Sequence, residues 1–107
     1  MIKTLDKQGF EEVLRKKEKP IAVEFSTVWC PYCQRLSPVI EEIAAEYADE
    51  IEVYCVNTDE QPGIAERYDV MTVPTVFVFQ NGEVKRNAVN PRGKEEVLDL
   101  VFKGDEK

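Results

Sequence analysis

Apolar residues recur along this chain with two periods, and where one gives way to the other the elements can be read off. Phe10, Val13 and Leu14 stand at i, i+3 and i+4, the buried stripe of a first helix with Asp6 as its N-cap and Pro20 as its end. Residues 21–26, IAVEFS, form a short apolar run with β-branched residues at two positions, the pattern of a strand covered on both faces. Glu24 is anomalous inside it. Leu36, Val39, Ile40, Ile43, Ala44 and Tyr47 then keep helical spacing, which predicts one long helix from Pro31 to about Ala48. Pro38 removes a hydrogen bond within it, so a kink is expected near residues 34–37. A strand at 51–56 (IEVYCV) and a short helix from Gln61 to Tyr68 follow. VPTVFVFQ at 73–80 and EVKRNAV at 83–89 flank Asn81-Gly82, the signature of an antiparallel hairpin with a type I′ turn. Val97, Leu98, Val101 and Phe102 mark a closing helix, with Gly104 as its stop.

The expected order is β-α-β-α-β-α-β-β-α. Crossovers through helices make the early strands parallel and the hairpin makes the last pair antiparallel, so the fold class is α/β, with a central mixed sheet of about five strands flanked by about four helices. A chain of 107 residues without linker, repeat or low-complexity segment reads as one domain over 1–107.

Charge narrows the partners. Twenty-one acidic against fourteen basic residues give a net charge of −7, which repels phosphate backbones and anionic lipid, so nucleic acid and membrane are not expected as partners. The basic run Arg15-Lys16-Lys17 is diluted at once by Glu18 and reads as a solvated face. The first ten residues hold no apolar core of a signal peptide, and no apolar run reaches the length of a membrane span. A cytoplasmic monomer is the expectation. In a reducing compartment three cysteines suit a transient disulfide better than a structural staple.

The chemistry is concentrated in WCPYC, residues 29–33. With Cys30 as N-cap, Pro31 takes N1, where its missing N–H is no loss, and the N–H groups of Tyr32 and Cys33 can face the Cys30 sulfur. Two donors and the positive helix end stabilise a thiolate, the nucleophile of disulfide exchange. A zinc site needs four thiolate or imidazole ligands, and the chain has no histidine and no second CxxC, which leaves only a cluster bridging two copies. A pair of inert buried cysteines fits the helix start poorly, so a redox couple is favoured.

Around that pair stand VEF before it, NTDEQPGIAERYDV, the TVPT segment, FQNGEV and the amphipathic last helix. With these pieces the chain resembles the thioredoxin family over nearly its whole length. The resemblance implies the thioredoxin fold and thiol-disulfide oxidoreductase activity without a cofactor. It makes Cys30 the nucleophile and Cys33 the resolving cysteine. Glu24 stands where the family has a buried Asp that exchanges protons with the resolving cysteine, and Pro74 where it has a cis proline. Trp29, Pro31, Tyr32, Val73, Pro74 and Asn90 form the implied substrate surface, with Val73 offering backbone hydrogen bonds to an extended client. Its implied partners are protein disulfides and a thioredoxin-reductase-type electron donor.

Four departures stand out. Cys55 replaces a Lys beneath the acid, which removes a compensating cation and pushes the Glu24 pKa up; Cys55 itself reads as a small buried hydrophobe. Ser26 replaces a second tryptophan and Asn90-Pro91 a Gly-Ala, both changes assigned to the substrate surface. Pro31-Tyr32 replaces Gly-Pro and is of glutaredoxin type. Moving proline from N2 to N1 restores a donor to the sulfur, which depresses the Cys30 pKa and favours the reduced protein. The potential expected is thus above the about −270 mV of thioredoxin, toward the roughly −200 to −230 mV of glutaredoxins. A glutathione-dependent reductase is the alternative, weakened by the missing Gly-Gly-Asp-like stretch after NGEV, and a noncatalytic binding module is a more distant one.

Overall fold

Among residues 2–102, which the computed structural model describes, nine elements succeed one another in the expected order. They are β1 (Lys3–Thr4), α1 (Lys7–Leu14), β2 (Ile21–Ser26), α2 (Pro31–Glu46), β3 (Glu52–Asn57), α3 (Pro62–Arg67), β4 (Thr75–Gln80), β5 (Glu83–Val89) and α4 (Lys94–Phe102). The strands make one sheet ordered β1-β3-β2-β4-β5. β3 is parallel to both β1 and β2, whereas β4 is antiparallel to β2 and to β5. This is the five-stranded mixed sheet with four helices that the patterning implies. No helix among the described residues is long and apolar enough to cross a membrane.

Local signals fix the ends. Asp6 caps α1, its Oδ1 accepting the Gly9 N–H at 2.8 Å. Asn81 and Gly82 both take positive φ, 55° and 81°, as a type I′ turn requires, and a Cβ on Gly82 would lie 3.2 Å from the Leu14 carbonyl oxygen. Helix α2 runs through Pro38 without interruption and stops at Glu46, two residues before the expected end. Val73 and Pro74 precede β4 instead of starting it, because a proline has no N–H to give to the ladder. The stop assigned to Gly104 lies outside the described residues.

The core has two layers, one on each face of the sheet. Ile21, Val23 and Phe25 of β2 face Phe10, Val13 and Ile64 from α1 and α3, together with Phe77 and Phe79. Ala22, one position out of phase, faces Leu36, Ile40 and Ile43 of α2 and Val97 and Val101 of α4. By the same alternation Glu24 and Ser26 turn toward the α2 side, with all of β2 buried.

Phe10 ties α1 to this framework: it is fully buried, with edge-on ring contacts to Tyr68 at 5.7 Å and Phe79 at 5.9 Å. Phe10→Ala is expected to lower unfolding stability by about 3–5 kcal/mol, read as a drop in the urea midpoint at unchanged slope. A loss under about 1 kcal/mol would mean that α1 is not held by this ring.

Candidate active site

Cys30 is the N-cap of α2, with extended backbone (φ −83°, ψ 122°), and its carbonyl accepts the Gln34 N–H at 3.0 Å. Pro31 occupies the helix start, so the first N–H groups that can turn to the sulfur belong to Tyr32 and Cys33. The thiol completes no side-chain cap hydrogen bond. Even so, the Cys33 N–H first, then the Cys33 thiol and the Tyr32 N–H, favour the thiolate and hold the Cys30 pKa below the ordinary thiol value against the opposing effect of burial. Opposite lies the Val73–Pro74 bond, which is cis, with the Val73 carbonyl oxygen 3.9 Å from Cys30 Sγ.

Cys33, one turn into α2, is 2% exposed. Burial pushes its pKa up to about 11; the Thr27 backbone N–H works the other way, and the Cys30 sulfur and the Glu24 charge reinforce the rise. The two cysteines therefore differ in kind: one ready to ionise at the helix mouth, one kept protonated behind it.

Glu24 sits in the middle of β2, directly opposite Cys55 on β3 and Val76 on β4. It is 2% exposed and its Oε2 has no hydrogen-bond partner among the described residues. Burial, with a contribution from the nearby Glu41 carboxylate, raises its pKa from 4.5 to about 7. No lysine or arginine enters this balance, in keeping with the expected effect of a cysteine at position 55.

Cys55 and Ser26 are not where the sequence put them. Instead of a plain buried hydrophobe, Cys55 is half-buried, shares a 3.2 Å hydrogen bond with Ser26 Oγ, and lines a cleft of about 490 Å³ with Glu41 and Pro38. Ser26 ends a fully covered strand, so it faces that cleft from within the protein and is no part of an outer substrate surface. Burial raises the Cys55 pKa as well.

The rim gathers the remaining residues. Trp29 is 65% exposed and donates its indole N–H to Asp59 Oδ2 at 2.7 Å. Tyr32 is also exposed, with the Arg35 guanidinium 5.2 Å from its ring centre. Asn90 adopts φ 50°, a conformation open to Gly or Asn, and donates its N–H to the Pro74 carbonyl at 2.7 Å. The structure thus brings Cys30, Cys33, Pro31, Tyr32, Val73, Pro74 and Asn90 together around one mouth, with Glu24 behind and Trp29 beside it. Sequence reasoning missed Asp59 and Glu41. The acid in NTDEQPG was a legible signal for the first; only the helical phase of α2 could have suggested the second. Among the described residues no group of three or more Cys, Asp or Glu is placed to hold a metal ion.

The family model for thioredoxin matches residues 1–103. Relatives include the M-type chloroplastic thioredoxin of Spinacia oleracea, 37% identical over 102 residues that cover 95% of this chain and 56% of that protein. The thioredoxin of Rickettsia bellii is 34% identical over 101 residues, covering 94% of this chain and 96% of that one, and the thioredoxin of Rickettsia felis is 31% identical over 103 residues, covering 96% and 98%. The chain spans little more than half the length of the plant relative and nearly all of the bacterial ones.

A raised carboxyl pKa means that the folded state holds this proton more tightly than the unfolded chain. Glu24 therefore weakens the fold as pH climbs from 4.5 to about 7, by up to about 3 kcal/mol for a shift of that size. Urea unfolding across that window should show the decline in the native protein and lose it in Glu24→Gln. In Cys55→Lys, an ammonium beside the carboxylate should move the decline to lower pH. A Glu24→Gln protein with the native pH slope would show that another group carries it.

Proposed function

Because the chain belongs to the thioredoxin family, we propose that it is a thiol-disulfide oxidoreductase that exchanges disulfides with proteins through Cys30 and Cys33. The observation that carries this reading is the opposed ionisation of the two thiols, one lowered by helix amides and one raised by burial to about 11. The Cys30 thiolate attacks a client disulfide, forming a Cys30–client bond and expelling the other client sulfur, which takes up a proton. Cys33 then loses its proton to the Glu24 carboxylate and attacks Cys30 Sγ. That releases the second client thiol and leaves a Cys30–Cys33 disulfide, so two electrons and two protons have passed to the client. An external dithiol restores the pair, and a thioredoxin-reductase-type donor is the source this reading adopts. Val73 and Pro74 lie where an extended client would meet Cys30, flanked by Trp29, Pro31, Tyr32 and Asn90.

The protein acts as a monomer and needs no cofactor of its own. A cytoplasm kept reducing by such a donor suits the cycle, although the plant relatives are named for the chloroplast. Its couple is less reducing than ordinary thioredoxin, because Pro31 at the helix start leaves both the Tyr32 and Cys33 N–H groups free to favour the thiolate.

Cys33→Ser should trap client proteins as mixed disulfides on Cys30, and Cys30→Ser should trap none. If Cys33→Ser captures nothing that dithiothreitol releases, the protein binds without exchange. Equilibration against a redox buffer should place the potential above about −270 mV, and a value at or below it refutes the N1-proline argument. Turnover with a thioredoxin reductase should exceed turnover with glutathione; the reverse would favour the glutathione-dependent alternative.

A further inference from the structure

We infer that the groove beside Cys30 selects protein disulfides whose attacked half-cystine is flanked by acidic residues. This rests on the exchange reading above and names its substrate class. The groove, about 400 Å³, has Tyr32, Arg35 and Val39 of α2 on one wall and Asn90, Pro91 and Arg92 on the other. Each wall is tied to a segment that flanks the reacting sulfur. Tyr32 lies between the two cysteines in the chain, and Asn90 is hydrogen-bonded to Pro74, whose neighbour Val73 presents its carbonyl to Cys30.

Charge identifies the occupant. In a chain with seven more acids than bases, Lys16 is paired with Glu52, Arg67 with Glu11, and Lys94 with Glu42 and Glu46. Arg35 and Arg92 are the two bases that line this groove. Both are exposed, and among the described residues no carboxylate pairs with either guanidinium. The Arg35 guanidinium lies over the ring of Tyr32 on the same wall, and the carboxylate of Glu96 accepts the Arg92 backbone N–H at 2.7 Å. Guanidinium forks match carboxylates in shape as well as charge. Two of them set on opposite walls give a short-range attraction for Asp or Glu next to a client cystine, within a protein whose net charge repels such segments at long range.

The test uses disulfide peptides of one scaffold with Glu, Gln or Lys on both sides of the cystine, reduced by the full-length dithiol protein. The Glu peptide should react roughly fivefold faster than the Lys peptide at low salt, each exposed pair giving a factor of two to three. That ratio should fall below about twofold in Arg35→Gln/Arg92→Gln and, for the native protein, in about 0.5 M salt. Equal rates for Glu and Lys peptides overturn the proposal, as does a preference that survives the double substitution. Faster consumption of glutathione disulfide than of the Glu peptide overturns it in favour of a free tripeptide as occupant. Reaction of the Gln peptide shows that the exchange reading stands whichever way the charge comparison falls; failure with all three peptides overturns both.

Discussion

Every position in β2 is buried, and that single constraint sets the register of the rest. A slip by one residue would turn Phe25 toward α2 and drive the Glu24 carboxyl into the aromatic layer around Phe10, Tyr68 and Phe79. With hydrogen-bonded strands on both sides, β2 cannot relax by bulging outward either. The chain leaves it at Ser26 and within four residues starts α2, so the thiol at the helix mouth is mounted on the most tightly held strand in the molecule. Precision at the site is thus a property of the sheet, delivered through a short connection.

The same placement divides the labour between the two cysteines. A helix N-terminus can stabilise charge only at its open end, where amides lack partners of their own. Cys30 has that place, whereas Cys33 is on the face of α2 that packs onto the sheet and meets burial instead. Glu24 reaches the same layer from the sheet, its own ionisation delayed to about neutral by the same dry surroundings. The acid and the inner thiol thus share one dry setting that resists charge on both, the acid giving up its proton near neutral pH and the thiol only near 11.

Much of this was legible in the residues. Period-two and period-3.6 patterning located all the helices and the four longer strands, and punctuation by Asp6, Asn81-Gly82 and Pro31 located their joints. The cysteine pair and Glu24 could be named because a carboxyl in an apolar strand and CxxC at a helix start are local signals. What was not legible is long-range. Two-residue β1 is held by its pairing with β3 instead of by composition, and Ser26 could be assigned to an outer surface only because a sequence does not show which strand ends are covered. The bond between Ser26 and Cys55 joins residues 29 apart, and no periodicity announces it.

Trp29 is the only tryptophan in the chain, exposed and anchored by its indole N–H to Asp59. It is also the immediate neighbour of Cys30. Ultraviolet emission from this protein, wherever tyrosine is not excited, therefore originates at one point on the rim of the redox mouth. The light it gives off reports on that rim, undiluted by any second indole in the core.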